Sequence, residues 1–173
     1  LRMSRGLGDV YKRQGLGFVV CFLLSDKVLV GKPADGIATA YAKEGANLVI
    51  TGRNVKKLET AKEKLEAEYG IQVLCVAADV NAGADNQAVV QNVIDQAIEK
   101  FGRIDVLVNN AQASASGVTL ADHTTDQFDL AIYSGLYATF YYMQACYPYL
   151  KETKGSVINF ASGAGLFGNF GQC

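Results

Sequence analysis

Neither sign of charge dominates this sequence: 16 Lys and Arg stand against 17 Asp and Glu, a net charge of −1 at pH 7. Without a basic cluster nothing is present to neutralise a row of phosphates, which argues against a nucleic-acid partner. Cysteine is sparse. Cys21, Cys75, Cys146 and Cys173 share no close spacing, which argues against a zinc or redox pair, and three of them lie in apolar surroundings suited to free thiols in a reducing, cytoplasmic setting. Histidine occurs once, at His123 in a polar stretch, where a surface loop is expected and no metal site. With only two prolines and no repeat or low-complexity linker, no internal domain boundary is indicated. A long hydrophobic run is also missing. The stretch Gly15 to Leu24 is too short to span a bilayer, and although Arg2, Arg5, Lys12 and Arg13 precede it, no small-residue cleavage site follows at Leu24-Ser25-Asp26-Lys27.

What is present is enough for one domain. Half of the 173 residues are hydrophobic, and a chain of this size buries roughly 70% of its unfolded surface. Residues 4–14, SRGLGDVYKRQ, resemble the translation of a transposon-end adapter, and residues 15–26 are open between read-through and a genuine leader. The expected division is a leader over 1–26 and one domain over 27–173.

From Lys27 onward, short apolar runs alternate with amphipathic stretches, the pattern of βαβ units around a parallel sheet. Five strands are expected: Lys27 to Val30, Asn47 to Thr51, Gln72 to Val76, Ile104 to Val108 and Ser156 to Phe160. Asn54 is placed to cap a helix whose Leu58, Ala61, Leu65 and Tyr69 share one face, with Gly70 as its stop. Val90, Val93, Ile94, Ala97 and Phe101 form a similar face before Gly102. Thr124 and Gln127 read as a capping box that opens a long helix to about Leu150. That helix carries two apolar rows, Phe128-Ile132-Leu136-Phe140 and Tyr133-Tyr137-Tyr141. One row suffices for the sheet, so the tyrosine row is spare surface for a second subunit or else part of a broad internal core face. Lys56, Lys57, Lys62 and Lys64 interleave with glutamates as a solvated face.

Several motifs in order carry a resemblance. Phe101-Gly102-Arg103-Ile104-Asp105 leads through a strand to Asn109-Asn110-Ala111, Asp79-Val80 follows the third strand, and Gly155-Ser156-Val157-Ile158-Asn159-Phe160-Ala161-Ser162 lies near the end. Together they resemble the short-chain dehydrogenase/reductase family from about Lys27 onward. The resemblance implies an α/β, Rossmann-type doubly wound parallel sheet in the order 3-2-1-4-5, in a single domain. It also implies hydride transfer between a nicotinamide cofactor and a carbonyl or alcohol substrate, as in 3-oxoacyl reductases or sugar and alcohol dehydrogenases. A non-catalytic nucleotide-binding or interaction module is the competing reading.

A doubly wound sheet binds its ligand beyond the carboxyl ends of its strands, where Gly31, Arg53, Asp79, Asn109 and Ser162 are all expected. Asp79 is read either as an acceptor for the adenine amine, with Val80 beside it, or as a turn cap. By the resemblance, Asn109 and Ala111 help hold the cofactor and Ser162 hydrogen-bonds the reacting oxygen. The run Thr51-Gly52-Arg53-Asn54 has no acid for a ribose hydroxyl, whereas a guanidinium at Arg53 suits a 2′-phosphate, so NADP is preferred over NAD. A solvated arginine at a helix start is the plainer reading. For the complete protein, a homo-oligomer through 125–150 is expected.

The departures are equally specific. The expected phosphate loop, Gly31-Lys32-Pro33-Ala34-Asp35-Gly36-Ile37-Ala38, keeps Gly36 and Ile37 but puts Gly31 and Lys32 over the family's Thr-Gly and Ala38 over its last glycine. About one turn of the following helix is missing by comparison, and Asp35 would repel a phosphate. Gly6-Leu7-Gly8 and Gly15-Leu16-Gly17 follow no strand. Gln112 replaces a glycine, and Gly135 replaces an asparagine of the long helix that serves a proton relay. The family's catalytic tyrosine, followed four residues later by lysine, would begin two positions beyond Cys173. The chain is therefore expected to be truncated, inactive and poorly soluble, with a strand edge and an apolar helix face uncovered.

Overall fold

The computed structural model describes residues 19–23, 33–80 and 83–168. Five parallel strands form one sheet in the order β3-β2-β1-β4-β5: β1 is Val19–Leu23, β2 Asn47–Gly52, β3 Val73–Ala77, β4 Val106–Asn109 and β5 Ser156–Asn159. The doubly wound, Rossmann-type order expected from the sequence is the order found. One strand differs. The central position expected for Lys27 to Val30 is held by Val19–Leu23, which pairs with β2 from Val19↔Asn47 to Leu23↔Thr51 and with β4 on its other side. That run is five residues of uninterrupted apolar character with valine and phenylalanine, a better match to a strand buried between two neighbours than a segment that opens on a lysine. Lys27 to Val30 and Gly31 lie outside the described residues.

Helices cover the two faces. Helix α1 (Pro33–Lys43) and α2 (Val55–Tyr69) pack on one side, where Leu48 and Ile50 of β2 meet Ala38, Ala42, Leu58 and Leu65. On the other side Val49 and Leu107 meet Val93 and Ile94 of α3 (Asn86–Phe101), together with Tyr142 and Cys146. Neighbouring residues of one strand thus enter different cores, as the alternation of side chains in a strand requires. The caps behave as their sequences predict. Asn54 accepts the Lys57 amide at 3.1 Å, and Gly70 ends α2 in the left-handed conformation at φ 66°.

The long helix begins as expected. Thr124 Oγ1 accepts the Gln127 amide at 3.3 Å while the Gln127 side chain accepts the Thr124 amide at 3.0 Å. It is not one regular helix, however. Helix α4 (Thr125–Ala131) passes into a π-helical turn, Ile132–Tyr137, before α5 (Ala138–Thr153). The Ala138 amide reaches back five residues to the Tyr133 carbonyl. This corrects the expected burial. Phe128, Leu136 and Phe140 are more than half exposed, and the buried row is Ser134, Ala138, Tyr142, Cys146 and Leu150. The small Ser134 and Ala138 let the helix approach the fold closely, so it turns a less hydrophobic stripe inward than the sequence alone suggests. The tyrosine row forms a ladder, with Tyr133 and Tyr137 ring centroids 5.2 Å apart and Tyr137 and Tyr141 5.9 Å apart.

The last strand also differs from a doubly covered one. All four residues of β5 are exposed, as are Leu166 and Phe167 of the short α6 (Ala164–Phe167). Among the described residues, no helix is long and apolar enough to cross a membrane.

Candidate active site

The sheet brings several of the expected residues to one rim, in two groups on either side of β1. In the first, Gly52 and Ala77 are partners across β2 and β3, and the Ala78 amide donates to the Gly52 carbonyl at 3.0 Å. Arg53 and Asp79 follow directly, both exposed. Arg53 stands at the head of α2, in a shallow depression that it shares with Asn54, Val55, Lys56 and Lys57. No acid occupies the first turn of α2. Three cationic side chains and the positive end of a helix dipole therefore share one small surface.

In the second group, Asn109 and Asn159 are partners across β4 and β5. The Asn109 Nδ2 donates to Asn159 Oδ1 at 2.8 Å, and the Phe160 amide donates to the Asn109 carbonyl at 2.9 Å. Asn109 is 4% exposed, and its Oδ1 is buried with no hydrogen-bond partner among the described residues. Its role in the structure is to join two strand ends. Three residues beyond this pair, Gln112 on one strand exit and Ser162 on the other are both exposed.

The remaining expected residues divide differently. Val80 and Ala111 are half-buried against the core that contains Val93 and Tyr142, while Ile37 packs against the opposite core. Gly36 lies in the first turn of α1, with no described atom within 4 Å of where a Cβ would stand. Gly31, expected at the phosphate loop, is outside the described residues.

Three polar residues brace this rim, of which sequence reasoning passed over Asn86 and Ser134 and named Asn159 only within a longer motif. Asn86, fully buried, donates from Nδ2 to the Val80 carbonyl at 2.8 Å and to the Tyr133 carbonyl at 2.9 Å, so it ties the exit of β3 to the π turn. Ser134 Oγ accepts the Ala113 amide at 2.9 Å and donates to the Leu130 carbonyl at 2.7 Å, which fastens the exit of β4 to the same turn. Asn159 completes the set. Its position directly after the apolar pair Val157-Ile158 of β5 is its local signal. Asn86 and Ser134 bond across 47 and 21 residues and give none.

The Phe101 to Asp105 motif is structural. Arg103 grips the buried Asp105 in a two-pronged ion pair, Nε to Oδ2 at 2.9 Å and Nη2 to Oδ1 at 2.5 Å. The Asp105 carbonyl accepts the Ser156 amide at 2.9 Å at the start of β5, and Thr153 Oγ1 donates to the Ile104 carbonyl at 2.8 Å. Among the described residues, no group of three or more His, Cys, Asp or Glu side chains converges as a metal site.

Comparison with known proteins agrees with this arrangement. Residues 34–173 match the family model for short chain dehydrogenases. The chain is 68% identical over 138 residues to a 12alpha-hydroxysteroid dehydrogenase from Clostridium sp., covering 80% of this chain and 53% of that protein. It is 38% identical over 131 residues to hydroxysteroid dehydrogenase-like protein 2 of Mus musculus, covering 71% of this chain and 26% of that one. The chain thus spans about half, or less, of the length of these relatives. Among solved structures, a metagenomic short-chain oxidoreductase in complex with NADP superposes with a TM-score of 0.79 at 25% identity, over 91% of this chain and 67% of that one. L-sorbose reductase from Gluconobacter frateurii, complexed with NADPH and L-sorbose, gives 0.78 at 26% identity, over 91% and 57%. With the strand order, the rim and the family match in agreement, the chain belongs to the short chain dehydrogenase family.

Proposed function

We propose that this chain is the cofactor-binding part of an NADP-dependent oxidoreductase that oxidises a hydroxysteroid to the corresponding ketone, or reduces the ketone. The observation that carries the substrate class is the 68% identity to a 12alpha-hydroxysteroid dehydrogenase, sustained over 138 residues. In the oxidative direction the carbinol carbon gives up a hydride and its hydroxyl gives up a proton. Bound NADP+ would supply the hydride acceptor at nicotinamide C4, so that the products are ketone, NADPH and a proton.

The residues of the rim fit that cofactor. Arg53, with the acid-free first turn of α2 and Lys56 and Lys57 beside it, offers the positive surface that a 2′-phosphate requires. Asp79 is exposed at the next strand end, where its carboxylate can accept from an adenine amine. Asn109 holds β4 and β5 together at the strand exits where the nicotinamide would lie, and the exposed Ser162 would hydrogen-bond the reacting oxygen from there. Ile37, Val80 and Ala111 support these positions by packing, and Gly31 and Gly36 belong to the phosphate-binding segment.

For the complete protein the reading includes a homo-oligomer through 125–150, supported by exposed Leu136, Tyr137 and Phe140 on one helix. A cytoplasmic setting suits Cys75 and Cys146, neither of which forms a disulfide among the described residues.

The test is NADPH formation by the full-length protein, followed by absorbance with a 12α-hydroxysteroid, and repeated with NAD. Turnover is expected with NADP, and Arg53→Ala should raise the KM for NADP about tenfold or more while changing that for NAD little. Absence of turnover with hydroxysteroids rules out the substrate class. An Arg53→Ala variant with unchanged NADP kinetics rules out the cofactor assignment.

A further inference from the structure

The two substitutions by which the sequence departs from its family around the long helix are in contact with each other. A Cβ built on Gly135 would stand 3.3 Å from both Cγ and Nε2 of Gln112 and 3.4 Å from its Cδ. The Gln112 side chain therefore lies across the π turn, in the space that a side chain at position 135 would enter. We infer that Gln112 is a positioning residue of the reaction, delivering from the exit of β4 a carboxamide that stands where a helix side chain would otherwise project.

Three observations place that carboxamide at the reacting end of the rim. Gln112 and Ser162 each lie three residues beyond the paired Asn109 and Asn159, on the exits of adjacent parallel strands. Neighbouring parallel strands run about 4.8 Å apart, so the two exits leave the sheet side by side. The loop that carries Gln112 is fixed rather than merely nearby, because Ser134 accepts the amide of the very next residue, Ala113, at 2.9 Å. Finally, the contact is with a π turn, a local break in helical hydrogen bonding that recurs at functional sites. Here the break is braced from behind by Asn86, which holds the Tyr133 carbonyl at 2.9 Å.

The chemistry of the group suits positioning and not proton transfer. A carboxamide does not titrate near neutrality and offers both a donor and an acceptor, so it can hold a substrate oxygen or a water in the same orientation throughout the catalytic pH range. Gly135 has the complementary role. Without a Cβ it leaves the carboxamide room to lie against the turn, and any side chain there displaces it.

This inference rests on the hydride-transfer reading above, and its test separates the two. The full-length protein is compared with Gln112→Ala, Gly135→Asn and the double variant Gln112→Ala/Gly135→Asn. Measurements are kcat and KM for the hydroxysteroid, NADPH affinity by fluorescence titration, and thermal unfolding. Loss of one hydrogen bond in the transition state predicts a kcat lower by about tenfold in Gln112→Ala, with NADPH affinity within twofold of wild type. Gly135→Asn alone should also lower kcat, because it crowds Gln112. The double variant, which returns a carboxamide to the same space from the helix, should recover kcat to within threefold. A purely structural Gln112 would give no such recovery in kcat. The inference is overturned if Gln112→Ala retains kcat within twofold, if its loss of kcat is accompanied by lost NADPH affinity, or if the double variant stays as slow as the single one. A wild-type protein that binds NADPH but turns over no hydroxysteroid defeats the activity reading first, and this inference with it.

Discussion

Asn109 donates from Nδ2 to Oδ1 of Asn159 over 2.8 Å, and the two ends of this bond have unequal surroundings: Asn109 is buried and Asn159 is exposed. Removing the exposed partner is therefore expected to do more harm than removing the buried one. Asn159→Ala strands a buried amide donor and should destabilise by about 2–3 kcal/mol. Asn109→Ala removes that donor together with an Oδ1 that has no partner among the described residues, so a loss nearer 1 kcal/mol is expected. Urea unfolding of the two variants measures the order, and the reverse order would show that the bond does not govern this strand pair.

Arg103 and Asp105 give a larger effect. The Asp105 side chain is fully buried and Arg103 meets it with two nitrogens. Arg103→Ala removes both charge-assisted bonds from a buried carboxylate and should cost about 3–5 kcal/mol. Arg103→Lys restores charge but only one of the two bonds, so a partial recovery is expected. Equal stability of the Lys and Ala variants would mean that the second nitrogen contributes nothing.

These examples mark what was legible in the sequence. The parallel βαβ pattern followed from the alternation of short apolar runs with amphipathic stretches, whereas the strand order came from the family resemblance carried by Asp79-Val80, Asn109-Asn110-Ala111 and the segment ending at Ser162. The caps at Asn54, Gly70, Gly102 and Thr124 followed from local hydrogen-bond chemistry that needs only a few residues. The first strand did not, since Val19–Leu23 sits behind a basic, leader-like start and its pairing with β2 depends on residues far along the chain. The burial of the long helix was misread for a different reason. The inward row, Ser134, Ala138, Tyr142, Cys146 and Leu150, stands two positions along from Ile132, Leu136 and Phe140, and hydrophobicity alone does not mark the small Ser134 and Ala138 as the residues that face the fold. At the rim, exposed Arg53, Asp79 and Ser162 stand where strand ends predict them. Asn86 and Ser134 act through contacts that no local pattern encodes.

The end of α5 supplies a pair of opposite effects. Lys154 adopts φ 54°, a left-handed conformation that is unfavourable for a residue with a Cβ by roughly 1–2 kcal/mol. Lys154→Gly should therefore raise stability by up to about 1 kcal/mol after the entropy of the unfolded chain is counted. Its neighbour has no such freedom. A Cβ on Gly155 would run into the Asp105 carbonyl oxygen and come within 2.8 Å of Leu150 Cδ2, at the point where Ser156 bonds to that carbonyl. Gly155→Ala should lose about 1–3 kcal/mol. Thermal unfolding that fails to separate the two variants in sign would contradict the geometry of this cap.

Cys75 makes stability pH-dependent in the alkaline range. Burial, reinforced by the negative charge of Glu59, pushes its thiol from 9.0 up to about 11. The unfolded chain releases this proton first, so the contribution is intact below pH 9.0 and is lost as the pH rises towards about 11. Cys75→Ala should flatten that part of the stability curve. In the native protein, alkylation of Cys75 at pH 9 should be slower than in urea, as followed by peptide mass analysis. Equal rates would show that the thiol is not protected.

Gly135 and Gln112 should also be coupled in stability, independently of any activity. Replacing a helix glycine with alanine ordinarily gains about 1 kcal/mol. In the wild-type background that gain is opposed, because the new methyl would meet Gln112 Cγ and Nε2 at 3.3 Å and the carboxamide must shift off the turn. Gly135→Ala is therefore expected to be near neutral. When Gln112 has already been cut back to alanine, the opposing contact is gone and the same substitution should stabilise by the full amount, about 1 kcal/mol. A double-mutant cycle by urea unfolding reads the difference. Additive single effects would mean that Gln112 leaves the turn at no cost, and that its position over Gly135 is not held by the fold.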